Sequence, residues 1–80
     1  MKIYIIEYYW SDGYYNFSMI DRVAFNTLKD AKTSVYKDHD YVKQGDHKKH
    51  YYGVAENAVA YYEVSEDGEH TVTVFELEVK

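Results

Sequence analysis

Histidine and aspartate side chains cluster in the middle of the chain, where their types could bind a divalent metal ion. His47 and His50 stand three positions apart, and His39 and Asp46 lie nearby in the sequence. A closed metal site needs a fourth well-placed ligand, and the chain has no cysteine to supply a thiolate. We therefore expect solvated loop histidines here, and predict no metal site and no cofactor.

Residue types that could catalyse hydrolysis are present, but their spacing does not favour it. Glu76 and Glu78 would share one face of a strand, yet no pocket is predicted beside them. The serines do not form a nucleophile-elbow motif, and no glycine-rich phosphate loop occurs. The sequence therefore predicts a protein that is not an enzyme.

The composition predicts one small domain spanning residues 1–80. The chain is 46% hydrophobic, carries a net charge of −5 and contains neither cysteine nor proline, so disulfides are excluded. Its apolar runs are too short for a membrane span, and its N-terminus is too short and acidic for a secretory signal. We expect a cytoplasmic protein.

The negative charge is concentrated near the C-terminus. Residues 56–80 contain seven Asp or Glu and a single Lys, whereas residues 1–55 contain seven Asp or Glu and eight Lys or Arg. Direct nucleic-acid binding requires basic groups that neutralise phosphates, and the basic segment 37–50 is diluted by aspartates. The pattern therefore argues against nucleic acid as a direct partner.

Two Asp-Gly pairs, Asp12-Gly13 and Asp67-Gly68, each predict a β-hairpin with a two-residue loop. The first register places a set of apolar and aromatic side chains on the core face: Ile6, Tyr8, Trp10, Tyr15, Phe17 and Met19. The second register pairs Val64 with Thr71, Tyr62 with Thr73, Ala60 with Phe75 and Ala58 with Leu77 on the core face.

Between the hairpins, helical spacing of apolar residues predicts a helix from residue 27 to about 39, with Asn26 or Thr27 as its N-cap. Residues 50–60 are ambiguous between strand and helix. The fold class is therefore α+β: a mostly antiparallel sheet of four or five strands, built from two hairpins and packed on one helix, in the order ββα(β)ββ.

One helix covers only one face of such a sheet. The predicted registers place a large apolar set on the other face, namely Ile3, Ile5, Tyr9, Ile20, Val59, Tyr61, Val72 and Val74. A bare patch of this size is unusual in a monomer, so something should cover it. Self-association, the 40–57 segment and another protein are the three candidates.

Two segments resemble small acidic accessory proteins of phages and prophages, among them anti-CRISPR and antirestriction inhibitors. These segments are the opening Met1-Lys2-Ile3-Tyr4-Ile5-Ile6 and the strand-to-helix junction 23–32. The resemblance implies a stoichiometric binder that occludes a host defence protein, acting in the host cytoplasm. It assigns no individual residue a role.

The leading hypothesis is a non-enzymatic protein-binding domain that sets an acidic hairpin against a basic, nucleic-acid-binding surface of a host protein. The charged part of the predicted site comprises Glu63, Glu66, Asp67, Glu69, Glu76 and Glu78. Its contact surface comprises Val59, Tyr61, Val72 and Val74.

Two alternatives stay open. One is a homodimer joined through the second sheet face, with a structural or regulatory role. The other is a small-ligand or nucleotide-binding module, whose site would combine aromatic, imidazole and ammonium groups: Tyr51, Tyr52, His47, His50, Lys48 and Lys49.

Overall fold

A computed structural model describes residues 1–46 and 57–80 and confirms the α+β class. Five strands and one helix follow each other along the described chain: β1 (Lys2–Ser11), β2 (Asn16–Ile20), α1 (Leu28–Asp38), β3 (Lys43–Gly45), β4 (Ala58–Glu63) and β5 (His70–Glu78). The predicted histidine cluster at 47 and 50 and the predicted ligand site at 47–52 fall outside the described residues.

The strands form one antiparallel sheet in the order β2-β1-β5-β4-β3. The first and last strands are neighbours in the middle of this sheet, and their pairing runs from Lys2 opposite Glu78 to Trp10 opposite His70. The described part of the sheet therefore has β2 and the three-residue β3 at its edges.

The helix begins and ends close to its predicted bounds. Thr27 is the N-cap, and its hydroxyl oxygen accepts a hydrogen bond of 3.1 Å from the backbone N–H of Asp30. Ala31 and Val35 on the inner stripe are completely buried against the sheet. His39 follows as the C-cap, and its ring packs against that of Tyr8, with ring centroids 5.8 Å apart.

The core lies between α1 and the central strands. Its fully buried members include Ile6 of β1, Tyr62 of β4, and Val72 and Val74 of β5. The Tyr62 ring also meets Tyr36 of the helix edge-on, at a centroid distance of 5.6 Å. Burying each aliphatic side chain contributes about 1.5–3 kcal/mol to the free energy of unfolding.

The first hairpin has a longer loop than predicted. Ser11 pairs with Asn16 and Trp10 pairs with Phe17, so the loop is the four residues 12–15 and the register differs by two positions. Such a shift leaves every side chain on its predicted face, but it moves Tyr15 from the strand into the loop.

The predicted register of the second hairpin is wrong by one position. Tyr62 pairs with Val72 and Ala60 with Val74, whereas Tyr62 was expected opposite Thr73. A shift of one residue exchanges the two faces of a strand. Val72 and Val74, predicted on the face away from the helix, therefore lie in the core and are 0% exposed.

The exchange changes which side chains lie on the face away from the helix. Phe75 and Leu77, predicted on the core face, lie on this other face, opposite Ile5 and Ile3 of β1. Thr71 and Thr73 lie there instead of the valines, and Tyr61 on the same face is 8% exposed and hydrogen-bonded to the Thr71 side chain. Ile3 and Ile5 are half-buried. The expected bare Tyr/Val surface is therefore wrong at Tyr61, Val72 and Val74.

Residues 58–60, for which strand and helix were both open, are strand, with an irregular register between Ala58 and Ala60. In the described ranges, no helix has the length and apolar character that a membrane crossing requires.

Candidate functional site: the acidic and aromatic tip

The two hairpin loops lie side by side at one end of the sheet, because β1 pairs with β5. The backbone N–H of Ser11 donates to the carbonyl of Glu69 at 3.1 Å, just beyond the pair formed by Trp10 and His70. We call this end the tip. It comprises loop 12–15, loop 65–69 and the adjoining strand residues Trp10, Phe17 and His70.

Loop 12–15 is built around the Asp12 carboxylate. Its Oδ1 accepts hydrogen bonds from the backbone N–H groups of Tyr15 at 2.6 Å and Tyr14 at 2.9 Å. These two bonds hold the pKa of Asp12 below its usual range. Gly13 takes a left-handed φ of 90°, which a residue with a side chain rarely adopts. Hydrogen bonds within the loop therefore fix its backbone, while its two tyrosine side chains are exposed to solvent.

Loop 65–69 is likewise held by hydrogen bonds to an aspartate within the loop. Asp67 Oδ1 accepts a 2.6 Å hydrogen bond from the Ser65 hydroxyl and a 2.9 Å bond from the Glu69 backbone N–H. The Ser65 hydroxyl, followed by that N–H, lowers the pKa of Asp67. Gly68 has a φ of 75°. Glu66 and Glu69 in the same loop are exposed to solvent.

The tip exposes an unusual amount of aromatic surface. Tyr14 is 93% exposed, Tyr15 78%, Phe17 54% and Trp10 50%. Trp10 and Phe17 are cross-strand partners on the helix side of the sheet, and the indole packs on the His70 imidazole at a centroid distance of 5.2 Å. Large exposed aromatic clusters mark interaction surfaces more often than ordinary protein surface.

The charge at the tip is of one sign. Its acidic residues are Asp12, Glu66, Asp67 and Glu69, and the sequence has no Lys or Arg in residues 8–19 or 64–70. Like charges gathered at the end of a small domain create a negative potential that extends into solvent and attracts basic groups.

The structure separates the acids that were predicted as one surface. Glu66, Asp67 and Glu69 lie at the tip, whereas Glu76 and Glu78 lie toward the opposite end of β5, about 23 and 30 Å from Glu69 at the usual rise of a strand. The predicted single acidic hairpin surface is therefore two separate regions.

The acids away from the tip have local partners. Glu76 binds Lys2 at 3.1 Å and accepts a hydrogen bond from the Tyr4 hydroxyl, and Glu78 lies 3.2 Å from the N-terminal ammonium. Glu63 lies 3.9 Å from Lys43 of β3. These acids are paired within the domain, which leaves less of their charge to attract a partner.

Of the predicted contact residues, Val59 is half-buried against the core cluster, and Tyr61, Val72 and Val74 are buried. None of these four provides a large exposed surface in the structure.

Sequence reasoning missed Trp10, Tyr14, Tyr15 and Phe17 as surface residues. The width of the sheet is the signal that could have found them. A helix is about 10–12 Å across, and strands lie about 4.8 Å apart, so one helix covers two or three strands. Helix α1 packs on β1 and β5. The helix side of β2 and the end of β1 are therefore left open.

Among the described residues, no group of three or more His, Cys, Asp or Glu side chains is arranged to hold a metal ion. His39 Nε2 is buried and has no hydrogen-bond partner in the described part of the chain.

Comparison with models of known protein families, with curated protein sequences and with solved structures finds no match to this chain.

Proposed function

We propose that this chain is a non-enzymatic protein-binding domain that inhibits its partner by occluding a basic, nucleic-acid-binding surface, in the manner of phage inhibitors of host defence proteins or nucleases. The observation that carries the proposal is the set of exposed aromatic rings, Trp10, Tyr14, Tyr15 and Phe17, at the tip, whose two loops carry acidic residues and no Lys or Arg.

The aromatic rings supply the contact. Tyrosine and tryptophan are favoured in binding hot spots because each buries a large area at a small entropic cost and retains a polar group for hydrogen bonding. Loop 12–15 holds Tyr14 and Tyr15 in place before any partner arrives, because the Asp12 carboxylate fixes the backbone of both. Such preorganisation reduces the entropy lost on binding.

The acidic side chains of the tip steer association with the partner and orient it. Carboxylates at the rim of an aromatic contact speed the encounter with a basic surface and set its orientation. A surface that binds DNA or RNA is basic because its Lys and Arg side chains neutralise the phosphates. The negatively charged tip therefore competes with nucleic acid for such a surface. The same charge repels nucleic acid from the tip.

The test is capture of proteins from a bacterial lysate on the immobilised chain, with two variants of equal net charge. Glu66→Lys/Glu69→Lys reverses two exposed acids of the tip, and Asp40→Lys/Glu78→Lys reverses two exposed acids elsewhere. We expect the wild type and the second variant to retain the same protein, and the tip variant to lose it.

The retained protein is then tested for occlusion by fluorescence anisotropy of a labelled oligonucleotide. Added chain should displace the oligonucleotide, less effectively at high salt, and Tyr14→Ser/Tyr15→Ser should weaken the competition about tenfold or more. Equal retention by both charge variants, or a captured protein that keeps its oligonucleotide, contradicts the proposal.

A further inference from the structure

Strand β2 has one unused hydrogen-bonding edge within the described part of the chain. It pairs with β1 along one side and stands at the end of the strand order. All five of its residues, Asn16–Ile20, are exposed. The outward N–H and C=O groups of such an edge are a template for another strand.

Natural sheets usually protect their edges, and β2 lacks the common protections. Strand Asn16–Ile20 has no Lys, no Pro and no other charged residue, and its pairing with β1 is continuous, without a bulge. Strand β3 at the other edge is only three residues long and includes Lys43 and Gly45. The two edges therefore differ in their readiness to accept a strand.

The sequence of β2 is complementary to itself. If two copies pair antiparallel about Ser18, Phe17 of each copy lies opposite Met19 of the other. These residues share the helix side of the sheet, because they pair with Trp10 and Tyr8 in β1, and each is more than half exposed. The pairing therefore buries two apolar pairs that the single chain leaves open to solvent.

Charge favours the same arrangement. Antiparallel pairing of the two β2 strands directs the two acidic tips to opposite ends of the joined sheet, whereas parallel pairing would place them side by side. Like charges in close contact disfavour association. Asn16–Ile20 itself brings no charge into the interface.

We propose that β2 is a self-association edge, at which a second copy of this chain adds its own β2 antiparallel about Ser18 and extends the sheet across both molecules. The contact is small, so the dimer belongs to the weak class of interfaces and forms in the micromolar range rather than permanently. This association shares Phe17 with the tip, but it leaves Tyr14 and Tyr15 exposed at either end of the joined sheet.

Disulfide trapping tests the register, because the natural chain contains no cysteine. Ser18→Cys places the two thiols opposite each other across the two-fold axis, so mild oxidation should yield a covalent dimer. Asn16→Cys lies on the same strand but opposite Ile20 of the second copy, and should cross-link much more slowly. Equal cross-linking rates for the two variants overturn the proposed register.

Sedimentation velocity from low to high micromolar concentration tests the association itself. The wild type should shift toward a dimer, Ser18→Lys should stay monomeric because two like charges would meet at the axis, and Gln44→Lys on β3 should behave like the wild type. A wild type that is monomeric at every concentration overturns the proposal. Circular dichroism of each variant establishes that it is folded.

The two proposals fail separately. A Ser18→Lys monomer that still captures the partner of the tip leaves the proposed function intact, and Glu66→Lys/Glu69→Lys should dimerise as the wild type does. If β2 instead takes an extended segment of another protein, the wild type alone stays monomeric, which the sedimentation experiment detects.

Discussion

The Trp10 indole and the His70 imidazole pack together across β1 and β5, with ring centroids 5.2 Å apart and ring planes inclined by 31°. This contact joins the two hairpins at the tip. Trp10 is also the only tryptophan in the chain, and it is half exposed. Its fluorescence therefore reports on the tip alone.

Collisional quenching of Trp10 should reveal the negative potential of the tip. We compare the ratio of the caesium to the iodide quenching constant for Trp10 with the same ratio for the free compound N-acetyltryptophanamide. The ratio should be higher for Trp10, because the acids of the tip attract cations and repel anions. The difference should shrink between about 0.1 M and 1 M salt as the Debye length falls from about 10 to 3 Å. Glu66→Lys/Glu69→Lys should lower the ratio, and an unchanged ratio in this variant would mean that the acids do not set the potential at Trp10.

Alkaline pH should destabilise the domain through Tyr8. Burial, and then the charges of Asp21 and Asp38, raise the pKa of Tyr8 to about 12, and its hydroxyl donates to Asp21 at 3.3 Å. An unfolded tyrosine has a pKa of about 10. The stabilisation is therefore complete below about pH 10 and is lost as the pH rises toward 12.

Urea unfolding at pH 9, 10 and 11 measures this loss. Tyr8→Phe should show a smaller decrease in the free energy of unfolding over this range than the wild type. Tyr14→Phe, at a ring that is exposed to solvent, should follow the wild type. Parallel curves for all three proteins would exclude Tyr8 as a source of the alkaline sensitivity.

The register of the second hairpin buries Val72, so Val72→Thr should be destabilising, and Val79, just beyond the end of β5, provides an exposed control. Val72 is fully buried and Val79 is 39% exposed. Val72→Thr places a hydroxyl in the apolar core and should lower the free energy of unfolding by about 1–3 kcal/mol. Val79→Thr should change it by less than about 0.5 kcal/mol. Chemical denaturation checks both, and equal costs would contradict the observed register.

Replacement of His39 should stabilise the domain. Its Nε2 is buried without a hydrogen-bond partner in the described ranges, while its ring packs on Tyr8. His39→Phe keeps an aromatic ring and removes the unpaired nitrogen, so the free energy of unfolding should rise by about 1 kcal/mol. His39→Gln keeps buried polar atoms and should give no gain. A loss of stability in His39→Phe, measured by thermal unfolding, would show that the nitrogen is paired in solution.

The fold class and the helix were predictable because their signals are local. The two Asp-Gly pairs mark both hairpins, and Thr27 with the helical spacing of Ala31 and Val35 marks the helix. Each signal acts within a few residues of the chain, where propensity and capping determine the conformation.

The hairpin registers were not predictable at this level, because side chains in the loops lengthen them. Asp12 binds two backbone N–H groups and gives a four-residue loop, and Ser65 with Asp67 organises a five-residue loop. A loop that grows from two residues to four keeps the faces of the strands, whereas growth to five exchanges them. The predicted placement of Val72 and Val74 on the face away from the helix is wrong because of that exchange.

The pairing of β1 with β5 also determines when the domain can fold. Lys2 lies opposite Glu78, so the two central strands come from nearly the whole chain apart in sequence. During synthesis, Ile6 and Tyr8 emerge long before their β5 partners Val74 and Val72 exist. Contacts between such distant segments slow folding, because the long intervening loop must close first. The nascent chain therefore carries an unpaired central strand until β5 has left the ribosome, and the sheet cannot be completed before that point.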